Sequence, residues 1–223
     1  MSDILIADDH PLFRDALRRA VLSALPDANV HAADDVHSLL VLIEQFPDAD
    51  LLLLDLHMPG ARGYSALAHI RGQYPGLPTI VVSGHEESHV VRRAMAHGAS
   101  AYIPKSTPGD MIVEAIRSVL AGDVWLPHQL PGDDVILKTD EAVAAARIAT
   151  LTPQQFRVMT MIAEGLLNKQ IAYELGVSEA TVKAHMTAIM RKMGVNNRTQ
   201  VALAASQLAV DQQALTPLAD DVG

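Results

Sequence analysis

Apolar residues in the first 122 positions form short continuous runs that alternate with stretches of helical periodicity. The runs at 4–7, 51–54 and 79–82 are almost wholly apolar, as expected for strands that are covered on both faces. Shorter strand candidates lie around Val30 and over 99–103. Strands that alternate with helices in this way predict a doubly wound α/β fold around a five-stranded parallel sheet.

The stretches between these strands carry apolar side chains at every third or fourth position. The stripe of Leu39, Leu40 and Ile43 is one example, and residues 63–73 predict the third of five helices. Residues 1–122 are therefore predicted to form one α/β domain.

The pattern breaks after residue 122. Pro127, Pro131 and Gly132 interrupt it, so residues 123–150 are predicted to be a linker. Within that linker, the alanine-rich segment 140–149 is predicted to form a short helix.

From residue 151 to residue 209 the periodicity is helical throughout, which predicts an all-α domain of four helices. Three glycines separate the helices: Gly165, Gly176 and Gly194. On the last helix, the positions Val201, Ala202 and Ala205 fit either a dimer face or core packing. Residues 210–223 are predicted to be a flexible tail.

Composition excludes several classes of protein. The chain has no cysteine, so disulfides, thiolate catalysis and cysteine-ligated zinc are ruled out. No apolar run reaches the roughly 18 residues that a membrane span needs. The N-terminus shows no basic segment before an apolar stretch, so we expect no signal peptide and a cytoplasmic location.

Net charge is −9, which by itself argues against a nucleic-acid partner. The distribution of charge changes that conclusion. Residues 151–210 hold 6 Lys/Arg against 3 Asp/Glu, whereas residues 1–122 hold 9 against 15. A basic block inside an acidic chain indicates that the second domain is the one that meets a polyanion.

Polar side chains follow the predicted strands at the point where each strand ends. Asp8 and Asp9 follow the first strand, Asp55 the third, Ser83 the fourth and Lys105 the fifth. Ligands of doubly wound sheets bind outside the carboxyl ends of the strands, so we expect these residues to share one crevice.

The residue types in this crevice indicate phosphoryl chemistry. Crowded carboxylates repel one another, and Mg²⁺ relieves that repulsion while keeping several waters. A carboxylate can also form an acyl phosphate, which makes Asp55 the natural nucleophile. Lys105 offers a compact positive charge for phosphoryl oxygens, and Ser83 offers a hydroxyl donor.

Residues 2–122 resemble the receiver domain of bacterial response regulators, whose fold is flavodoxin-like. The matching segments are Asp8-Asp9, Asp55 with Met58-Pro59-Gly60, Ser83-Gly84 and Tyr102-Ile103-Pro104-Lys105.

The resemblance implies a role for each matching position. Asp55 would be the phosphoacceptor, and a phosphohistidine on a sensor histidine kinase would be the donor. Ser83 and Lys105 would bind the phosphoryl group, and Ser83 and Tyr102 would rearrange when it arrives. The implied Mg²⁺ ligands are the carboxylates of Asp8, Asp9 and Asp55 and the backbone carbonyl of His57.

The sequence of the basic block (residues 151–210) predicts a helix, a tight turn and a second helix with a polar, basic N-terminal half. It resembles the LuxR-type helix-turn-helix of NarL/FixJ-type response regulators. The matching segments are Leu151-Thr152-Pro153, Asn168-Lys169-Gln170-Ile171-Ala172, Thr181-Val182-Lys183 and Asn197-Arg198-Thr199.

This second resemblance implies contacts to double-stranded DNA from the turn and from the second helix. Gln155 and Thr187 depart from the family, which usually has a glutamate at the first position and often a basic residue at the second. The residues expected at the DNA are Asn168, Lys169, Thr181, Lys183, Ala184, Thr187 and Arg191.

Together the two resemblances imply a two-component response regulator that is not an enzyme. It would form a homodimer when phosphorylated or DNA-bound. RNA polymerase is a further candidate partner, and no association with a membrane is expected.

Two other classes compete with this interpretation. One is a phosphatase with an aspartyl-phosphate intermediate, but enzymes that resemble the haloacid dehalogenase group carry an aspartate two residues after the nucleophile, where this chain has His57. The other is a DNA-binding protein that works without phosphorylation.

Overall fold

The computed structural model describes residues 2–61, 63–127 and 139–210. A five-stranded, wholly parallel sheet lies at the centre of the first domain, with strand order β2-β1-β3-β4-β5. This confirms the predicted doubly wound sheet. The strands are β1 (Asp3–Ala7), β2 (Asn29–Ala33), β3 (Leu51–Asp55), β4 (Thr79–Ser83) and β5 (Ala101–Pro104).

Five helices cover both faces of the sheet. Alternate residues of one strand enter opposite cores: Ile4 and Leu53 pack on one face, Leu5 and Leu54 on the other. Because both faces of the strands are buried, successive residues along each strand are apolar, which explains the continuous apolar runs in the sequence. The helices are α1 (Pro11–Ala24), α2 (Val36–Gln45), α3 (Ser65–Gln73), α4 (Ser88–Ala96) and α5 (Gly109–Leu120).

The second part of the chain is helical, as predicted. The predicted linker helix is confirmed as α6, and residues 128–138 of the linker lie outside the described residues, as do 211–223 of the predicted tail. The helices are α6 (Thr139–Ala149), α7 (Pro153–Ala163), α8 (Asn168–Leu175), α9 (Glu179–Met193) and α10 (Arg198–Ser206).

Local capping explains where these helices begin and end. Thr152 and Gln155 form a reciprocal capping box at the start of α7, so the glutamine at this position supports the helix directly. Gly176 and Gly194 end α8 and α9 in the left-handed region, where glycine carries no steric cost.

The two parts of the chain pack against each other. Helix α6 lies along α3, and the rings of His69 on α3 and Phe156 on α7 stack with their centroids 4.2 Å apart. Burial lowers the pKa of His69 to about 4, so its ring is neutral in this contact at pH 7. The backbone N–H of Tyr64 donates a 2.8 Å hydrogen bond to the carbonyl of Leu208.

The last helix contributes its predicted positions to this core. Val201 and Ala205 are buried, and Ala202 is half-buried. Of the two uses that the sequence left open, core packing is the one seen in this chain for Val201 and Ala205.

The third helix begins at Ser65, two residues later than the sequence predicts. Gly63 has φ +53°, and a Cβ at this position would clash with the carbonyl oxygen of Leu208. The turn before α3 is therefore shaped by the close approach of the chain that follows α10.

Gly63→Ala should lower the free energy of unfolding by at least about 1 kcal/mol, because it places a Cβ in the left-handed region and against Leu208. Urea denaturation measures the change. Gly76→Ala is the matched control, since nothing lies within 4 Å of a Cβ there, and its effect should stay within about 0.5 kcal/mol. Equal effects of the two substitutions would contradict the proposed contact.

Candidate functional site

The carboxyl ends of the strands bring the predicted residues of the first domain to one edge of the sheet. Asp8 follows β1 directly, and Asp55 and Ser83 are the last residues of β3 and β4. Lys105 follows β5, and its backbone N–H donates to the carbonyl of Ser83. Because the strands are parallel and adjacent, these four positions meet although the chain separates them widely.

The Lys105 ammonium lies between two buried carboxylates. Its Nζ is 2.8 Å from Oδ2 of Asp55 and 2.9 Å from Oδ2 of Asp8. Burial lowers the pKa of Lys105, but the hydrogen bonds and charges of Asp55 and Asp8 outweigh burial, so its pKa is raised overall. The lysine therefore carries its charge at neutral pH and offsets part of the repulsion between the two carboxylates.

Asp8, Asp9, His10 and Asp55 form a cluster that fits a divalent cation. One potential ligand atom from each residue lies within 4.8 Å of all the others. Three of the four are carboxylate oxygens, the donors that Mg²⁺ prefers, and Asp9 is half-exposed so that waters can complete the coordination.

His10 is a member of this cluster that the sequence analysis missed. Its Nδ1 lies 2.6 Å from Oδ1 of Asp9 and 3.3 Å from Nζ of Lys105. Its position directly after the Asp8-Asp9 pair was the signal that could have pointed to it.

His57 lies beside the Asp55 carboxylate, and His85 lies beside His57. The backbone N–H of His57 donates a 3.1 Å hydrogen bond to Oδ1 of Asp55, and the rings of His57 and His85 lie 4.9 Å apart. Burial lowers the pKa of His57, so this neighbour is neutral at pH 7. The predicted role of its backbone carbonyl in metal binding stays a prediction.

Ser83 and Tyr102 are both buried and are linked through His85. The Tyr102 hydroxyl donates a 2.8 Å hydrogen bond to the carbonyl of His85, whose backbone N–H lies 3.3 Å from Oγ of Ser83. Burial raises the pKa of Tyr102, so its hydroxyl keeps its proton and remains a donor. A change at Ser83 therefore has a direct route to the segment that leads into α4.

The predicted DNA-contacting residues lie on one helix-turn-helix unit made of α8 and α9. The turn passes through Gly176 (φ +62°), and the Ser178 side chain caps α9 by accepting from the N–H of Thr181. Asn168 is half-buried and accepts a 3.1 Å hydrogen bond from Arg198. The other six predicted residues are exposed: Lys169, Thr181, Lys183, Ala184, Thr187 and Arg191.

None of the helices in the described ranges is both long enough and apolar enough to cross a membrane.

Two family models match the chain. Residues 4–117 match the response regulator receiver domain, and residues 149–205 match the luxR family of bacterial regulatory proteins. The two matches follow each other along the chain in the order that the sequence predicted.

Curated relatives match nearly the whole chain. A glycerol metabolism activator of Pseudomonas putida is 38% identical over 219 residues, which cover 93% of this chain and 96% of the relative. The nitrate/nitrite response regulator NarL of Escherichia coli K12 is 32% identical over 203 residues, covering 90% and 93%.

A solved structure shares the fold. RcsB from Salmonella enterica serovar Typhimurium, bound to promoter DNA with the phosphomimetic BeF3⁻, aligns with a TM-score of 0.54 at 23% identity, covering 93% of this chain and 99% of that one. The chain belongs to the transcriptional response regulators that join a receiver domain to a LuxR-type helix-turn-helix.

Proposed function

We propose that Asp55 accepts a phosphoryl group from a phosphohistidine of a sensor histidine kinase, and that this controls DNA binding by the second domain. The observation that carries the proposal is the pocket in which Asp55 lies beside Lys105, Asp8 and Asp9 at the sheet edge. The Asp55 carboxylate is buried next to the Lys105 cation and to carboxylates that could ligate a metal ion. Positive charge from the lysine and the metal ion stabilises the acyl phosphate that Asp55 would form.

The chemical step is a displacement at phosphorus. A carboxylate oxygen of Asp55 forms a bond to phosphorus as the P–N bond of the phosphohistidine breaks, and the released imidazole nitrogen keeps the electron pair and takes up a proton. Lys105, already 2.8 Å from Asp55, binds the phosphoryl oxygens, and the Ser83 hydroxyl donates to them.

The acidic cluster fits Mg²⁺ as a resident ion. Asp8, Asp9 and Asp55 would hold it, with the His57 carbonyl as a further ligand. When bound, the ion neutralises charge on the phosphoryl oxygens.

Ser83 and Tyr102 would transmit the change. If the Ser83 hydroxyl turns toward the phosphoryl group, the hydrogen bonds around His85 rearrange, and these include the one from Tyr102. A switch from 1:99 to 99:1 needs about 5.5 kcal/mol of differential stabilisation, a magnitude that several charge-assisted hydrogen bonds supply together.

In the second domain, the N-terminal half of α9 is proposed to enter the major groove. Lys183, Ala184 and Thr187 would face the bases and nearby phosphates, with Arg191 further along the helix. Thr181, Asn168 and Lys169 would lie at or near the sugar-phosphate backbone of the DNA. A homodimer would form on phosphorylation or on DNA, and RNA polymerase is a further proposed partner, with the chain acting in the cytoplasm.

A phosphatase that turns over external substrates is the competing function. Such enzymes need a second carboxylate close to the nucleophile as general acid, and the chain places His57 two residues after Asp55. Burial lowers the pKa of His57, so its ring is a poor acid at neutral pH. We therefore propose that the chain is a stoichiometric phosphoacceptor and not an enzyme.

Asp55→Asn should reduce labelling by acetyl phosphate and Mg²⁺ to background, because the amide removes the nucleophilic oxygen. Hydroxylamine-labile phosphate, measured over time, gives the labelling rate. Asp15→Asn, which alters an exposed carboxylate on α1, should label like the unsubstituted chain. Labelling of the Asp55 variant at a comparable rate would reject the assignment.

Asp9→Asn should weaken Mg²⁺ binding at least ten-fold, about 1.4 kcal/mol, because one anionic ligand is lost from the cluster. Calorimetric titration of the full chain measures the affinity. Asp27→Asn, an exposed substitution in the loop between α1 and β2, is the control. Unchanged affinity in the Asp9 variant would show that the ion binds elsewhere.

Lys183→Ala should weaken DNA binding and lower the slope of log affinity against log salt by about 1, the loss of one phosphate contact. The probe is a duplex that the full chain selects from a random-sequence pool. Arg19→Ala removes the same charge from α1 of the receiver and should leave the slope unchanged. An unaltered slope for the Lys183 variant would place the DNA on another surface.

A further inference from the structure

A buried carboxylate joins the linker helix to the receiver domain. Glu141, in the first turn of α6, is only 7% exposed. Arg93 Nε donates a 2.9 Å hydrogen bond to its Oε1, and His97 Nε2 lies 2.8 Å from the same oxygen. Both partners come from α4 and its C-terminal end.

Tyr64 completes this group, which we name the Glu141 clamp (Glu141, Arg93, His97 and Tyr64). The Tyr64 ring stacks on His97 at 5.0 Å, and the Arg93 guanidinium lies 4.9 Å from the ring centroid. The Tyr64 hydroxyl donates to the carbonyl of Val90, also on α4. The Tyr64 ring therefore packs against both side chains that contact the carboxylate.

The clamp sits on the face of α6 that meets the receiver. Glu141, Ala144 and Ile148 are buried at successive turns of that face, and α6 packs along α3. At the other end of α6, the Gln73 side chain donates a 2.7 Å hydrogen bond to the carbonyl of Ala149. An ion pair buried this deeply is sensitive to the loss of either partner, because the remaining charge keeps its desolvation cost.

The docked arrangement leaves the DNA-facing surface uncovered. Lys183, Ala184 and Thr187 on α9 are exposed, and so is Lys169 on α8. The receiver contacts the second domain elsewhere, where Met58 to Ala61 and Ser65 share a cavity of about 110 Å³ with α7 and Ala205. Docking therefore fixes where the DNA-binding domain is held without masking the helix that would enter the groove.

We propose that the Glu141 clamp is the positioning device through which the receiver restrains the DNA-binding domain, and that it acts on the placement of that domain while its DNA-facing surface stays open. The link to phosphorylation rests on the proposed function of Asp55. The Tyr102 hydroxyl binds the carbonyl of His85, three residues before α4 begins, so a change at Ser83 and Tyr102 is delivered to the helix that carries Arg93.

Glu141→Gln tests the clamp in the unphosphorylated full chain, so the result does not depend on whether Asp55 accepts phosphate. The substitution keeps the shape of the side chain and removes its charge. Hydrogen–deuterium exchange of the α6 amides should become at least about five-fold faster, because the helix loses its anchor on α4. Glu174→Gln, at an exposed position on α8, is the matched control and should leave α6 unchanged.

A second readout on the same variants tests whether the DNA-facing surface is open. Acylation of Lys169 and Lys183 by a water-soluble active ester, resolved by mass spectrometry, should proceed at the same rate within about two-fold with or without the clamp, because both side chains are already exposed.

If the hydrogen–deuterium exchange rate of the α6 amides is unchanged after Glu141→Gln, Glu141 does not anchor α6 and the proposal is wrong. A rise in the rate of Lys183 acylation of about ten-fold or more would show that docking shields α9, which would overturn the claim that the DNA-facing surface is open. Strand amides of β1 and β3 report global unfolding, and they should keep their protection in both variants.

Discussion

The structure of the receiver depends on how it tolerates several carboxylates at one desolvated edge of a sheet. Asp8 and Asp55 are buried beside each other, and bringing two anions out of water costs free energy unless a cation accompanies them. Lys105 supplies that cation within 3 Å of both. The negative charge that the lysine offsets only in part favours a divalent cation at this site. The lysine and that cation together would favour the oxygens of a phosphoryl group.

The buried contacts beside this site continue as far as α4. Ser83 lies on the strand next to Asp55, and His85 links it to Tyr102 and to the start of α4. Helix α4 in turn holds Glu141 of the linker helix. Contacts therefore connect the charged pocket to the buried carboxylate of α6, and each end contains a carboxylate that is costly to leave without a cationic partner.

Much of this organisation could be predicted from the sequence because it depends on local order. Apolar runs at strand positions, and polar residues directly after them, determine the sheet and the crevice once the strands are parallel, as for Asp55 and Lys105. The glycines at 176 and 194 likewise mark helix ends that need the left-handed region.

The contacts between the two parts of the chain could not be predicted in this way. Arg93 and Glu141 are 48 positions apart, and neither residue belongs to a motif or a periodic stripe that specifies a partner. The stacking of His69 on Phe156 similarly depends on how α6 and α7 approach α3, which no local pattern encodes. His10 was missed for a different reason, because a histidine next to two aspartates reads equally well as a surface residue.

The proposed function depends on Asp55 carrying the phosphoryl group in this pocket. After treatment with acetyl phosphate and Mg²⁺, borohydride reduction converts an aspartyl phosphate to homoserine, and peptide mass spectrometry then locates the changed residue. We expect homoserine at position 55 and at no other aspartate. Homoserine at a different position, or an unmodified Asp55 in a chain that has taken up phosphate, would show that Asp55 is not the phosphoacceptor.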